Sequence, residues 1–207
     1  MSSDLATAGA NRTGRAGVVV PIRAFIGGQA RLIGALDDTA RAELGRDLAS
    51  RVLAAAVPFP VVVVTAASEV RSWAEAAGAT AVIDDPGSLD AAAQAGVAWC
   101  RARGLARAIV AHADLPWAHS FAGLANDGSR PIVVLVPCHR DDGTPVLSVP
   151  TDVNFAFAYG TGSFRRHVAL ARQRGLAVRV VRDPSLAFDV DVPDDLARLA
   201  ATRTAPG

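Results

Sequence analysis

Runs of consecutive apolar residues with no in/out alternation constrain this chain more than any other feature. Gly17–Ile22, Pro60–Thr65, Arg107–Ala113 and Ile132–Val136 are short and rich in valine and isoleucine, most plainly at Val61-Val62-Val63-Val64. A strand with one face in water alternates; a strand without alternation is buried on both faces. That is how strands sit in a mostly parallel sheet sandwiched between helices. Helical segments lie between the runs: Asp37–Ala56, with Asp37 or Asp38 as cap, then Glu69–Ala77, then Ser88–Arg103, opened by Ser88 and closed by Gly104. Thr80–Ile83 adds a short strand. The expected fold is α/β, a single doubly wound, mostly parallel sheet over residues 16–201, between a disordered tail at 1–15 and a short tail at 202–207.

The last third departs from this rhythm. Arg140–Thr144 is a turn leading into a strand at Pro145–Val149. A helix follows at Gly162–Gly175, a strand at Ala177–Val181, a short extended segment at Leu186–Asp191, and a final helix at Pro193–Ala201 with proline in its first turn. There is no internal repeat and no low-complexity linker, so no second domain is called for.

Composition excludes several classes. Of the 207 residues, 51% are apolar and 20% charged, enough to bury a core and too little charge for a disordered chain. A formal net charge of +1 argues against a general nucleic-acid surface. No apolar run reaches the ~18 residues of a membrane span, and Met1–Ala10 lacks the pattern of a signal peptide. Cys100 and Cys138 are too few for a four-cysteine metal site or a disulfide framework, and read as reduced, partly buried thiols of a cytoplasmic protein. All 21 basic residues are arginine, so any cation that grips phosphate is Arg or His.

Ligands of open α/β sheets bind beyond the carboxyl ends of the strands, so the residues after each strand are the candidates. After the first come Arg23, the pair Gly27-Gly28, and Arg31. Glycines let backbone N–H groups approach phosphate while guanidiniums clamp it, although a surface loop with two solvated arginines has the same composition. After the fourth comes Asp114-Leu115-Pro116, either a metal ligand above the sheet or a turn aspartate. In Phe188-Asp189-Val190-Asp191-Val192-Pro193, residues two apart point the same way, so Asp189 and Asp191 present paired carboxylates. Such a pair either holds a cation, for which hard oxygens suit Mg²⁺, or caps the helix behind it. Tyr159-Gly160-Thr161-Gly162-Ser163 is a glycine-rich turn opening a helix, an anion site with exposed N–H groups or an ordinary cap; Gly143-Thr144 offers a further donor.

Of the histidines, His112 falls within a strand and reads as packed, His119 and His139 lie in loops, and His167 on a helix face; none are spaced as metal ligands. No serine sits in a nucleophile elbow, and Trp73, Trp99 and Trp117 are too dispersed to stack bases. Covalent catalysis and zinc chemistry are not expected.

In their order and spacing, from about Val18 to Leu199, these pieces resemble the guanylyltransferases of coenzyme F-420 biosynthesis, small enzymes of a GT-A-like, nucleotide-diphospho-sugar transferase fold. Pro21-Ile22-Arg23 and Gln29-Ala30-Arg31-Leu32 match the elements that grip the nucleotide phosphates, with Arg23 and Gln29 standing where the family has lysines. Gly87-Ser88-Leu89-Asp90-Ala91-Ala92 matches the helix start near the base and ribose, with Asp90 in place of asparagine. Ala113-Asp114-Leu115-Pro116, Gly143-Thr144, Tyr159–Ser163 and Asp189-Val190-Asp191-Val192-Pro193-Asp194-Asp195-Leu196 match the remaining elements.

The resemblance implies Mg²⁺ held by Asp114, Asp189 and Asp191. It implies GTP bound by Arg23, Gly27, Gly28, Arg31 and Asp90, with Arg23, Arg31 and Asp114 as the catalytic set. The acid end of the acceptor falls to Thr144, Gly160 and Ser163. The implied reaction is transfer of GMP from GTP to a phosphorylated three-carbon acid, phosphoenolpyruvate ahead of 2-phospho-L-lactate or 3-phosphoglycerate, with release of pyrophosphate. The expected partners are GTP, the small acid and the downstream deazaflavin transferase, with no nucleic acid and no membrane. Two other readings use the same residues: a nucleotidyltransferase for a sugar or pterin phosphate, and a non-catalytic nucleotide-binding paralogue.

Overall fold

β-Branched side chains pack well on a pleated, doubly covered surface, and the valine runs form the sheet accordingly. The computed structural model describes residues 16–83, 87–125 and 131–204; the expected tail at 1–15 and the last residues, 205–207, lie outside these. Among the described residues seven strands, β1 (Ala16–Pro21), β2 (Val61–Thr65), β3 (Thr80–Ile83), β4 (Arg107–Ala111), β5 (Ile132–Val136), β6 (Val146–Pro150) and β7 (Ala177–Val180), pair in the order β3-β2-β1-β4-β6-β5-β7. The sheet is mostly parallel, as expected, with β6 antiparallel to both β4 and β5.

The helices begin where the capping residues direct. Asp37 Oδ1 accepts from Ala40 N at 2.8 Å to open α1 (Asp38–Ala55). Then come α2 (Ser68–Ala76), α3 (Leu89–Ala102), where Ser88 Oγ accepts from Ala91 N, the short α4 (Ala122–Ala125), α5 (Ser163–Gln173), the single turn α6 (Pro184–Ala187), and α7 (Pro193–Thr204). Three expectations are corrected. β4 stops at Ala111, so His112 stands just beyond it. The segment expected to be extended from Leu186 begins inside α6, because Asp183 caps that turn and Pro184 opens it. The last helix runs to Thr204, so residues 202–204 belong to it rather than to a tail.

The two faces of the sheet bury two layers. Val18, Val20, Val63, Ile109 and Val134 pack with α1 and α2 residues such as Val52 and Val70, while Val19, Val62, Val110 and Leu135 pack with Val97, Trp99 and Phe155. A third cluster seats the acidic segment near the C-terminus: Phe188 and Val190 are buried with Leu32 and Leu48, and Trp117 stacks on Phe188 at 4.1 Å between ring centroids.

The chain runs outward from β1 to β2 and β3, then returns to place β4 on the other side of β1. This is a topological switch point, where open α/β sheets bind ligands beyond the carboxyl ends of their strands. Because β6 runs the other way, its first residue, Val146, faces the last residue of β4, Ala111. That register brings the Gly143-Thr144 turn to the same edge, and His112 N donates to Pro145 O at 2.9 Å.

Candidate active site

Four aspartates meet at this edge. Val190 N donates to the backbone carbonyl of Asp114 at 3.1 Å, which ties the segment after β4 to the acidic segment before α7. Burial, then the charges of Asp189, Asp191 and Asp195, raise the Asp114 carboxyl to about 7. Asp195, 1% exposed, is the organiser. Its carboxylate accepts both bonds of Arg140 Nη2, at 2.7 and 2.8 Å, and its Oδ2 also accepts from the amides of Asp191 and Val192, each at 3.0 Å. Burial works against that charge, but Arg140 and the two amides outweigh it and hold the carboxyl below its usual range.

Asp189 and Asp191 do not share one partner. His139 Nδ1 lies 3.4 Å from Asp189 Oδ1 and Arg140 Nη1 3.9 Å from it, whereas Asp191 Oδ2 accepts from Arg31 Nη1. Among the described residues no three His, Cys, Asp or Glu side chains form a ready-made metal cluster. Yet Asp114 Oδ1 and Asp189 Oδ1 are buried with no hydrogen-bond partner. Acceptor-only oxygens in that state call for a proton or a cation, and an all-oxygen donor set suits a hard divalent ion. The residues present therefore fit Mg²⁺.

On the β1 side, Arg23 is exposed at the rim. Gly27 has φ +74°, and Gly28 N donates to Phe25 O at 3.2 Å to close the turn. A Cβ on Gly28 would lie 2.6 Å from the carbonyl oxygen of Ala24, so only glycine fits. Gln29 also takes a left-handed φ of 49°, and its Oε1 is buried without a partner. Asp90 is committed locally: its Oδ1 accepts from Tyr159 N at 2.7 Å, joining the start of α3 to the loop before α5.

The turn before α5, open to reading as an anion site or an ordinary cap, has three of its amides taken. Gly162 N donates to Asp142 Oδ1, Ser163 N to Gly160 O, and Phe164 N to Asp142 O. Arg166 wraps the outside of the turn through the carbonyls of Ala158, Tyr159 and Thr161. Thr144 and Ser163 do meet, but as buried groups. Ser163 Oγ donates to Thr144 Oγ1 at 3.4 Å, and His167 Nδ1 lies 3.1 Å from the same oxygen. Ala158 N donates to His167 Nε2, which leaves Nδ1 to carry the ring proton and donate to Thr144. Burial, with Arg166 and His112 nearby, pushes His167 down to about 4 and keeps it neutral.

Asp195, Arg140, His139 and His167 carry no role in the sequence reading. Asp195 lies in the acidic element itself, within Asp189–Leu196. The others reach the edge through the β5–β6 return and the α5 packing, which no local pattern encodes.

Residues 16–202 match the family described as "Guanylyl transferase CofC like". The phosphoenolpyruvate guanylyltransferase of Rubrobacter xylanophilus is 34% identical over 190 residues, covering 89% of this chain and 93% of that protein. A 3-phospho-D-glycerate guanylyltransferase of Phenylobacterium zucineum is 30% identical over 197 residues, covering 88% of each. Among solved structures, a Desulfovibrio desulfuricans G20 protein assigned to the nucleotide-diphospho-sugar transferases superposes with a TM-score of 0.74 at 15% identity, covering 93% of this chain and 89% of that one; that likeness concerns the fold.

Proposed function

The chain belongs to the CofC-like guanylyl transferase family, and on that footing we propose that it moves GMP from GTP to the phosphate of a three-carbon acid, phosphoenolpyruvate first, with Mg²⁺ as its cation and coenzyme F-420 biosynthesis as its setting. Guanylyltransferase activity on an acid of the phosphoenolpyruvate or phosphoglycerate type follows from the relatives. The observation that carries it is the meeting of Asp114, Asp189, Asp191 and Asp195 at the β1–β4 edge, with a buried oxygen of Asp114 that has no hydrogen-bond partner among the described residues and a buried oxygen of Asp189 that faces His139 and Arg140 without a hydrogen bond.

The chemistry needs no general base. A phosphate monoester has its second pKa near ~6 and is mostly dianionic at neutral pH. One of its oxygens attacks the α-phosphorus of GTP. The bond from that phosphorus to the bridging oxygen breaks, and the oxygen departs with its electron pair as part of pyrophosphate. The obstacle is the approach of two polyanions. Mg²⁺ bound by Asp114, Asp189 and Asp191 would supply charge neutralisation and alignment of the phosphates. Arg23 and Arg31 would grip the triphosphate, and the Gly27-Gly28 turn lets backbone approach it. Asp195 and Arg140 hold the metal-side segment in place. The acid end of the acceptor falls beside Thr144, Gly160 and Ser163.

Incubation with GTP, Mg²⁺ and phosphoenolpyruvate, 2-phospho-L-lactate or 3-phosphoglycerate, together with the deazaflavin transferase and its acceptor, tests this reading. The expected result is pyrophosphate release and a coupled product, fastest with phosphoenolpyruvate. GTP binding by calorimetry without turnover on any acid, sugar phosphate or pterin phosphate would overturn it in favour of a non-catalytic paralogue.

A further inference from the structure

Two atoms at the metal-side edge face each other without bonding. His139 Nδ1 and Asp189 Oδ1 lie 3.4 Å apart, each is buried, and neither has a hydrogen-bond partner among the described residues. The gap is too long for an N–H···O bond. Buried polar atoms are nearly always paired, so two that meet in this way leave a place between them to be filled. Bonds of ~2.1 Å from one ion to an imidazole nitrogen and a carboxylate oxygen span a 3.4 Å gap at about 110°, close to the tetrahedral angle.

His139 is held in this position by its own loop and by its neighbours. Its amide donates to Ala187 O at 2.8 Å, which ties the β5–β6 return to the residue two before Asp189. The return is a closed turn: Cys138 N donates to Gly143 O, Asp141 N to Cys138 O, and Gly143 N to Cys138 Sγ. The imidazole packs against Phe188 at 5.1 Å between ring centroids, and Phe188 is itself stacked on Trp117. The far nitrogen, Nε2, lies 3.7 Å from Asp195 Oδ1. Metal-bound imidazoles almost always direct their second ring N–H at a carboxylate or carbonyl, which orients the ring and raises its basicity. A proton on Nε2, toward Asp195, leaves the Nδ1 lone pair toward Asp189. Arg140 Nη1 stands 3.9 Å from the same Asp189 oxygen, but the guanidinium is held by Asp195 through Nη2 and does not fill the gap.

Resting on the cation site proposed above, we infer that His139 Nδ1 is a further ligand of that ion, beside Asp189, with Asp195 as the carboxylate behind the ring. Carboxylates alone make a hard, all-oxygen site suited to Mg²⁺, and an imidazole nitrogen shifts the preference toward first-row transition ions. His139 therefore sets which divalent ion the chain takes most tightly.

His139→Asn tests this, because it puts a carbonyl oxygen near the place of Nδ1. Pulsed EPR of bound Mn²⁺, with and without inorganic pyrophosphate and in the absence of nucleotide, reads nitrogen coordination directly. Calorimetric titration with Co²⁺ and with Mg²⁺ reads the preference, and urea unfolding of the metal-free forms checks that the variant is folded; if it is not, His139→Gln takes its place. The expected wild-type spectrum carries the modulation of a bonded imidazole nitrogen, and the variant's does not. The ratio of Co²⁺ to Mg²⁺ affinity falls in the variant by about tenfold or more, at least the loss that removing an outer partner of a ligand brings. Asp189→Asn weakens the binding of both ions. If Asp189→Asn weakens Mn²⁺ binding but the wild type shows no nitrogen modulation, the inference is overturned, the carboxylate site stands, and His139 is only an ion-pair partner of Asp189. Modulation that persists in the His139 variant overturns it too. Modulation lost in that variant keeps the inference even where no acceptor is turned over, and the transferase reading then fails alone. A wild type that binds no Mn²⁺ under either condition overturns the inference, while turnover with Mg²⁺ judges the transferase reading separately.

Discussion

Arg31 donates to Asp191 across 160 residues of sequence, joining the phosphate-grip loop after β1 to the metal-side segment before α7. The side chains are 68% and 34% exposed, so the pair contributes at most about 1 kcal/mol to stability and exchanges partners easily. In the proposed reaction each has another partner: Arg31 the triphosphate, Asp191 the cation. Arg31→Ala should therefore bind Mn²⁺, as a probe for Mg²⁺, about two- to fivefold more tightly in the absence of nucleotide. The same variant should raise the KM for GTP about tenfold or more through loss of a charge-assisted phosphate contact. Paramagnetic titration and steady-state kinetics check the two halves. Weaker Mn²⁺ binding would show that Arg31 supports Asp191 instead of competing for it.

Asp195 is expected to matter without touching substrate. Removing its carboxylate leaves the Arg140 guanidinium and the Asp191 and Val192 amides without their partner. Asp195→Ala should cost about 1–3 kcal/mol in urea unfolding, the range for polar groups stranded away from full solvent. Asp195→Asn keeps the shape and one acceptor oxygen and should recover about half of that. Both variants should weaken Mn²⁺ binding, because the Asp189–Asp191 segment loses its anchor. Stability loss with unchanged metal affinity would restrict Asp195 to a fold role.

How much of this was legible follows from what is local. The strands were readable because unalternated valine runs mean burial on both faces, and Asp37 and Ser88 cap their helices as their residue types predict. The antiparallel course of β6 was not, since a strand buried on both faces carries the same residues in either direction. The sequence pairs Asp189 with Asp191 as carboxylates, and the alternation with buried Phe188 and Val190 is present. Their separate partners, Arg140 and Arg31, come from other loops and depend on topology. The glycines of the Gly160–Ser163 turn suit an anion nest and an ordinary cap equally. Asp142, whose carboxylate takes the Gly162 amide, comes from a loop 20 residues earlier.

The two glycines of the β1 loop should fail for different reasons. Gly27 has φ +74° and open space around a built Cβ, so Gly27→Ala meets only backbone strain, about 1 kcal/mol. Gly28→Ala places a methyl 2.6 Å from the Ala24 carbonyl oxygen, and the loop must move. Overpacking of this kind costs about 1–3 kcal/mol. Gly28→Ala should also raise the KM for GTP more than Gly27→Ala does. Thermal melts and kinetics on the two variants side by side check this, and equal effects would remove the loop from the nucleotide grip.

His167 should make the fold sensitive to acid. It is fully buried, and its ring nitrogens are spoken for by Ala158 N and Thr144 Oγ1, so the folded protein holds it neutral down to about 4. An unfolded chain takes up that proton near its ordinary value of ~6.5. Between those values the unfolded state binds more protons, so stability falls as the pH drops through this window and is unaffected by His167 above it. A shift of this size is worth on the order of 3 kcal/mol by pH 4, at ~1.4 kcal/mol for each pH unit. His167→Gln preserves one acceptor and one donor and cannot be protonated. Urea unfolding of wild type and this variant from pH 7.5 to pH 4 should show the difference between them shrinking or reversing as the pH falls. Parallel curves would mean that the buried ring does not titrate as its surroundings require.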